Sequence, residues 1–195
     1  MVDSVAVVGI GEMGTPMVGH LVDAGYDVYA YDVTEPSRDR ASDLGATVVD
    51  SPGVGAESAD LSLIVVGTSE QVESVMCDDD GILENADTGH IVAVSSTISP
   101  EECIAYADAA AEDGIDVIDV PTCRGGDAAQ HGDLLVLCGG NETAIDRARP
   151  VLEQFAAEKN VVHLGPVGAG QVGKSANNTL LWANLVADYE VFSLA

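Results

Sequence analysis

An α/β fold with a doubly wound, mostly parallel sheet is predicted for this chain of 195 residues. Short runs rich in Val and Ile alternate with longer Ala-rich stretches, and such runs are typical of parallel strands buried on both faces. Alternation at this spacing implies right-handed crossovers through helices. Gly25, Gly45 and Gly114 each follow a helical stretch, where a left-handed residue would end a helix.

The predicted elements follow in order along the chain. Strands are expected at residues 5–8, 27–31, 61–66, 91–94, 117–119, 134–138 and 161–164. Helices are expected at residues 15–24, 37–44, 70–77, 100–113, 143–157 and 174–195. Pro100 after Ser99 suits the start of the fourth helix. The last helix is apolar on much of its circumference, so it needs a further domain or a partner subunit to cover it.

The charge balance excludes several kinds of partner. The chain has 33 Asp and Glu against 7 Lys and Arg, a formal net charge of -26. Such a field repels polyanions, so we expect neither a nucleic-acid partner nor binding to an anionic membrane. With only two lysines as well, the chain resembles a cytosolic protein from a salt-loving archaeon. The alternative is an acidic protein from an ordinary cell.

Cysteine spacing and hydropathy give two further exclusions. The four cysteines, Cys77, Cys103, Cys123 and Cys138, are widely separated and form no Cys-x-x-Cys pair, so we predict neither a metal site nor a disulfide framework. No apolar run approaches the roughly 18 residues of a membrane span. We therefore expect a soluble, cytoplasmic protein.

A glycine motif directly after the first predicted strand indicates a dinucleotide site. Residues 9–14 have the pattern G-x-G-x-x-G and lead straight into a helix. In this context the first glycine allows a tight turn, the second lets backbone approach a pyrophosphate, and the third lets the helix pack on the strand. The prediction is a Rossmann-like fold whose cofactor-binding residues are Gly9, Ile10, Gly11, Glu12, Met13 and Gly14.

Asp32, at the end of the second predicted strand, indicates which dinucleotide binds. An acid at this position accepts hydrogen bonds from a ribose 2′-hydroxyl and repels a 2′-phosphate, which favours NAD over NADP. Arg38 and Arg40 keep NADP open as the less favoured alternative, since either side chain could fold back on a phosphate.

Four motifs in order along the whole chain resemble the β-hydroxyacid dehydrogenases, the group that includes 3-hydroxyisobutyrate, tartronate semialdehyde and 6-phosphogluconate dehydrogenases. The first is the glycine loop that continues through Met17, and the second is Ser96-Thr97 followed by Pro100. The third covers residues 119–126 and the fourth leads from Gly168 to Lys174 with Asn177 and Asn178 after it.

The resemblance implies roles for these residues. Ser96 and Thr97 would lie against the nicotinamide side of the cofactor, and Lys174 would be the general acid or base. The remaining set would bind substrate: Cys123, Arg124, Gly125, Asn177 and Asn178. Members of the family also continue into an all-helical domain that closes the site and helps to form dimers.

We accordingly expect residues 1–165 to form the dinucleotide-binding domain. Residues 166–195 are expected to begin an interdomain helix and a helical domain that is missing here, through which the protein would form a homodimer or a larger assembly.

The substrate motif departs from the family's usual Ser-Gly-Gly, because this chain has Cys123-Arg124-Gly125. An arginine offers a planar fork for a carboxylate, so we predict a substrate with an additional or differently placed anionic group. The alternative is that Arg124 only pairs with Asp127 in the loop.

The chemistry of Lys174 suits hydroxyacid oxidation, because a neutral amine can remove the hydroxyl proton and a protonated one can return it. Asn177 and Asn178 follow at helical spacings of three and four, on the same face. Two alternatives stay open: an imine or keto reductase on the same scaffold, and a nucleotide-binding or redox-sensing fragment without turnover.

Overall fold

The computed structural model describes residues 2–194 and contains one nine-stranded sheet within them. Its strands are β1 Ser4–Val8, β2 Asp27–Tyr31, β3 Thr47–Val48, β4 Leu61–Ile64, β5 Ile91–Val94, β6 Asp116–Asp119, β7 Thr122–Cys123, β8 Leu135–Gly139 and β9 Val161–Gly165. The helices are α1 Gly14–Asp23, α2 Glu35–Asp43, α3 Pro52–Ser58, α4 Ser69–Cys77, α5 Ile82–Asn85, α6 Pro100–Ala111, α7 Gly125–Gln130, α8 Glu142–Leu152 and α9 Ala169–Ser193.

The strand order confirms the doubly wound prediction. Strands lie in the order β3-β2-β1-β4-β5-β6, and every neighbouring pair in this series is parallel. The chain therefore reverses its direction of growth between β1 and β4, and ligands of doubly wound proteins bind at the carboxyl ends of the strands beside such a reversal. β8 extends the sheet, antiparallel to β6 and β7 and parallel to β9.

Both faces of the sheet are buried, as the near-continuous apolar strands predict. Val7 and Leu63 pack in the core on one face, whereas Val8 and Ile64, their neighbours in sequence, pack in the core on the other. Helices cover each face, which explains why the strands lack a polar side.

Local signals at the helix ends are also confirmed. Gly25, Gly45 and Gly114 all have positive φ, at 89°, 97° and 72°. At the start of α6 the Ser99 hydroxyl accepts a hydrogen bond from the Glu102 amide, and the Glu102 carboxylate accepts one from the Ser99 amide. This reciprocal pair fixes the start of the helix at Pro100.

Five short elements were not predicted: β3, β7, α3, α5 and α7. Among the predicted helices, the largest difference at a start is that of α9, which begins at Ala169 instead of residue 174. Its glycine-rich first turns are helical because the buried Asp119 carboxylate accepts hydrogen bonds from the amides of Gly168 and Gln171. The predicted end at residue 195 lies outside the described residues.

Three other predicted elements were too long by two or more residues at their ends, and one of them is α6, which ends at Ala111 instead of residue 113. α8 ends at Leu152, not 157, because the chain turns to bury Phe155, which is 1% exposed. β4 ends at Ile64, not 66, because the Val66 amide turns to donate to the Ser96 hydroxyl.

The final helix has a largely exposed apolar surface. Leu180, Trp182 and Phe192 are 66%, 61% and 77% exposed. The assignment of residues 166–195 to the start of a further helical domain stays a prediction. Among the helices of residues 2–194, none has the length and apolar character of a transmembrane segment.

Candidate cofactor and active site

The glycine loop between β1 and α1 has three glycines with three different surroundings. Gly9 has a φ of 99°, and a Cβ there would overlap the carbonyl oxygen of Val65. A Cβ at Gly14 would overlap the carbonyl oxygen of Gly9. At Gly11, by contrast, nothing lies within 4 Å of the added atom. The loop is therefore closely packed on its protein side and open at Gly11, where a ligand can approach the backbone.

The open side of this loop presents hydrogen-bond donors. Within residues 2–194, the amides of Gly11, Glu12 and Met13 have no protein acceptor, and Met13 at the start of α1 has no side-chain cap. Free amides at the positive end of a helix favour an anion. This arrangement fits a pyrophosphate and meets the geometric requirement of the glycine motif.

Asp32 connects the glycine loop to the segment after β2. Its Oδ2 accepts from the Ile10 amide at 2.8 Å, and its Oδ1 accepts from the amide and hydroxyl of Thr34 at 2.8 and 2.9 Å. Burial acts to raise the pKa of Asp32, but the hydrogen bonds from Thr34 and Ile10 outweigh it and lower the pKa below its usual value. The carboxylate is thus ionised at neutral pH and keeps acceptor capacity for a ribose hydroxyl.

The two arginines that follow are used within the protein. Arg38 Nη1 donates to the carbonyl of Asp32 at 2.7 Å, and Arg40 Nη2 donates to the Ser37 hydroxyl at 2.7 Å and the Ile10 carbonyl at 3.1 Å. Both guanidinium groups brace the backbone around Asp32, the predicted ribose acceptor.

A cleft of about 610 Å³ opens at the carboxyl ends of β1, β2 and β4. Its lining includes Gly9, Gly11, Asp32, Val65 and Val66. The cleft therefore joins the glycine loop to the predicted ribose acceptor, and it lies beside the chain reversal, where dinucleotides bind in this fold.

The segment predicted to lie against nicotinamide begins directly after β5. The Ser96 hydroxyl is buried and accepts from the Val66 amide at 2.9 Å, whereas Thr97 is exposed. Ser95, beside them, is 7% exposed, and its hydroxyl lacks a hydrogen-bond partner among the described residues. Ser96 thus shapes the segment, and Thr97 is the side chain that a ligand can reach.

Lys174 on α9 lies against the substrate motif. Its Nζ donates to the carbonyl of Thr122 at 2.6 Å. Cys123, the next residue, is 3% exposed. Burial raises the pKa of the Cys123 thiol, although the nearby charges of Lys174 and Arg124 favour the thiolate. Cys123 is therefore a neutral thiol beside the amine, consistent with a small replacement for serine.

Arg124 has an unusual backbone and an unpredicted partner. Its φ of 86° is the only positive value at a non-glycine residue within residues 2–194. Its Nη1 contacts Asp133 twice, at 3.0 Å to the carboxylate and 2.9 Å to the carbonyl oxygen. The alternative that Arg124 pairs with Asp127 was wrong, because the side chain extends past α7 to Asp133, two residues before β8.

The other predicted substrate residues lie on the two helices next to Lys174 and Arg124 in the chain, α9 and α7. Asn177 and Asn178 are half-buried on α9, and the Asn177 amide donates to Asn178 Oδ1 at 3.5 Å. Gly125 follows Arg124 at the start of α7 and is exposed. A Cβ at Gly126 would overlap the carboxylate of Glu12, so the cofactor loop and the substrate motif are in contact.

The sequence assigned no separate role to two buried residues here, although the first of them, Asp119, opens the third motif. Asp119 and Gln171 are both fully buried, and the Asp119 carboxylate accepts from the Gln171 amide at 2.8 Å. The available signal was weak: a carboxylate at the end of an apolar strand and a glutamine in a glycine-rich segment, far apart in sequence.

Residues 4–165 match the family described as the NAD-binding domain of 6-phosphogluconate dehydrogenase. The chain belongs to this family. The match confirms the predicted Rossmann-like fold. It also confirms the prediction of NAD as the cofactor.

Relatives of this NAD-binding family cover nearly the whole chain. The NAD-dependent L-serine dehydrogenase of Pseudomonas aeruginosa is 35% identical over 190 residues, 97% of this chain and 63% of the relative. The 2-(hydroxymethyl)glutarate dehydrogenase of Eubacterium barkeri is 31% identical over 190 residues, 97% of this chain and 62% of that protein. The chain therefore spans less than two thirds of the length of these relatives.

Solved structures of related enzymes also match the whole chain and only part of the other protein. The 3-hydroxyisobutyrate dehydrogenase of Mycobacterium tuberculosis, solved with L-serine, has a TM-score of 0.91 and 33% identity, and the match covers 100% of this chain and 65% of that one. An imine reductase from Myxococcus stipitatus has a TM-score of 0.88 at 19% identity, which shows a shared fold only.

Proposed function

We propose that this chain is the cofactor-binding part of an NAD-dependent dehydrogenase that acts on the CH–OH group of a small β-hydroxyacid. The observation that carries the proposal is the contact between Lys174 Nζ and the Thr122 carbonyl, at 2.6 Å. It joins an ionisable amine to the substrate motif in a protein whose glycine loop fits a dinucleotide. Relatives named as L-serine and 3-hydroxyisobutyrate dehydrogenases support the same class of substrate.

The residues present fit NAD. The open backbone at Gly11 and the free amides after it would hold the pyrophosphate, Asp32 would hold the ribose, and Thr97 would face the nicotinamide. Bound NAD supplies the carbon that accepts hydride from the substrate. The protein supplies position and a route for the hydroxyl proton.

Lys174 would move that proton. As a neutral amine it can take the hydroxyl proton of the substrate, and as an ammonium it can return a proton to a carbonyl. Its hydrogen bond to Thr122 aims the amine at the substrate motif while the other positions on Nζ can meet a ligand. Asn177 and Asn178 would bind the substrate hydroxyl or carboxylate without adding charge.

Arg124 would select a substrate with a second anionic group. Only Nη1 is engaged with Asp133, and within residues 2–194 the Nη2 and Nε atoms make no hydrogen bond. A fixed guanidinium with available N–H groups suits a carboxylate. The name of the hydroxymethylglutarate relative, whose substrate is a dicarboxylate, agrees with this proposal.

Two observations favour the hydroxyacid reaction over imine reduction. Lys174 can move the hydroxyl proton, and the likeness to imine reductases extends to the fold alone. The test compares Lys174→Ala with Lys159→Ala, which removes the only other lysine of the chain. We expect Lys174→Ala to bind NAD within about twofold of the wild type but to lose turnover by about 10²-fold or more. Lys159→Ala should keep both.

The measurements are NAD binding by calorimetry and NADH absorbance with a panel of mono- and dicarboxylic hydroxyacids. Turnover retained by Lys174→Ala would reject the proton-transfer role. A wild-type protein that binds NAD but oxidises no hydroxyacid would contradict the dehydrogenase proposal and favour a nucleotide-binding or redox-sensing role.

A further inference from the structure

The first turns of α9 contact two other segments: the end of β6 and the segment after β5. Asp119, at the end of β6, accepts from the Gly168 amide through Oδ1 at 2.7 Å and from the Gln171 amide through Oδ2 at 2.8 Å. A Cβ at Gly170 would overlap the Leu137 carbonyl oxygen, so this end of α9 is packed directly on the sheet. The helix start is therefore fixed.

Gln171 extends this junction to the segment around Thr97. Its side chain is fully buried, its Nε2 donates to the Ser96 carbonyl at 2.8 Å, and its Oε1 accepts from the Ile98 amide at 3.3 Å. Both ends of the side-chain amide thus bind backbone groups, one on each side of the exposed Thr97. No other described side chain bonds both of these backbone groups.

The same residue lies one helical turn before Lys174. A shift of the segment around Thr97 would therefore also move the turn that carries the Lys174 amine. A shift of that turn would likewise move the segment. Loss of the glutamine amide would leave a buried N–H and a buried C=O without partners, which is unfavourable enough to move the segment.

We infer that Gln171 is a positioning residue: its side-chain amide holds the segment around Thr97 against the Lys174 turn of α9, and this junction forms the nicotinamide half of the cofactor site. The inference rests on the proposed function for the identity of the cofactor. The adenosine and pyrophosphate half, at Gly11 and Asp32, does not depend on this glutamine.

The test uses two ligands that differ by the nicotinamide ring. Titration calorimetry with NADH and with ADP-ribose compares the wild type with Gln171→Met, which keeps the length of the side chain and removes its hydrogen bonds. We expect the Kd for NADH to rise about tenfold and the Kd for ADP-ribose to stay within about twofold, because about 1.4 kcal/mol corresponds to a tenfold change. The fluorescence emission of bound NADH should also shift towards that of free NADH.

The matched control is Gln154→Met, since Gln154 also donates a side-chain hydrogen bond to a backbone carbonyl, that of Pro150 at 2.7 Å, but lies beyond α8. It should leave both Kd values unchanged. Gln171→Glu is the second variant, because its carboxylate keeps an acceptor for the Ile98 amide but loses the donor to Ser96, and it should show the same selective loss for NADH.

Parallel weakening of both ligands, or no weakening, would overturn the inference, since a general packing role does not distinguish the two ends of the cofactor. Failure of both Gln171 variants to bind ADP-ribose would overturn it as well, because the glutamine would then hold the fold as a whole. Failure of the wild type to bind either ligand would instead contradict the proposed function.

Discussion

Arg124 has a left-handed backbone at a position that is glycine in the usual motif of the family. A side chain in this conformation costs about 1 kcal/mol relative to glycine. The guanidinium is nevertheless fixed by Asp133, whose carboxylate also accepts from the Asn160 amide at 2.9 Å. Residues with strained backbones are frequent at ligand sites, and this arrangement supports a specificity role for Arg124.

Replacement of Arg124 by glycine should therefore separate stability from substrate preference. Relief of the backbone strain offsets the loss of an exposed ion pair, which contributes less than about 1 kcal/mol. We expect Arg124→Gly to keep or raise the free energy of unfolding by up to about 1 kcal/mol and to lower kcat/KM for dicarboxylic hydroxyacids at least tenfold. Urea denaturation and steady-state kinetics measure the two effects.

The matched control is Arg147→Ala, because the Arg147 side chain is 37% exposed, similar to 41% for Arg124, and pairs with Asp116 away from the substrate motif. It should leave the substrate preference unchanged. An unchanged ratio of kcat/KM values between dicarboxylic and monocarboxylic hydroxyacids in Arg124→Gly would contradict the role given to this arginine.

For single residues, the sequence motifs indicated which residues are candidates for the site but not which hydrogen-bond partners these residues have. The glycine loop and Asp32 can be recognised as candidates in the sequence because a local turn and one crossover set their spacing. The partner of Arg124 could not, since Asp127 and Asp133 are both near in sequence and the direction of the side chain depends on α7. Gln171 contacts Ser96 and Ile98 through tertiary packing that no local pattern encodes.

At the level of elements, the contact between α1 and β1 depends on Gly14. A Cβ at Gly14 would overlap the carbonyl oxygen of Gly9. That oxygen cannot move without opening the glycine turn after β1. We expect Gly14→Ala to lower the free energy of unfolding by about 1–3 kcal/mol. Gly19→Ala, on the same helix, places its Cβ at 3.7 Å from Leu44 Cδ2 and should instead stabilise by about 0.5–1 kcal/mol.

Gly11→Ala completes this series, because its Cβ meets no protein atom within 4 Å. The fold should be unchanged while NAD binding is weakened by tenfold or more, since the methyl group occupies the open side of the loop. Thermal unfolding and calorimetry of the three variants test these expectations. Intact NAD affinity in Gly11→Ala would show that the pyrophosphate lies elsewhere.

Element boundaries were predicted well where the signal is local and poorly where it is tertiary. The buried strands and the capping box at Ser99 and Glu102 follow from apolar runs and cap residues alone. The start of α9 follows from Asp119, a residue about 50 positions earlier in the chain, so the glycines after Gly168 suggested a loop. α3, at Pro52–Ser58, was missed because its two glycines and its proline are poor helix formers.

At the level of the whole molecule, the net charge of -26 should make stability depend on salt. Repulsion among 33 acidic side chains opposes compaction, and added ions screen it. We expect the melting temperature to rise steadily between about 0.1 and about 2 M KCl. Chloride is preferable to sulfate here, since sulfate also stabilises proteins by exclusion from their surface. A melting temperature that does not rise with KCl would reject the prediction of a halophilic protein.

We propose that NAD lies across the carboxyl ends of the strands, from the glycine loop to Lys174. A crystal structure of the protein with NADH tests this binding mode. We expect the diphosphate on the amides of Gly11 to Met13, a ribose hydroxyl on Asp32, and the nicotinamide ring between Thr97 and Lys174. A diphosphate bound away from the glycine loop, or a nicotinamide ring out of reach of the Lys174 amine, would contradict this binding mode.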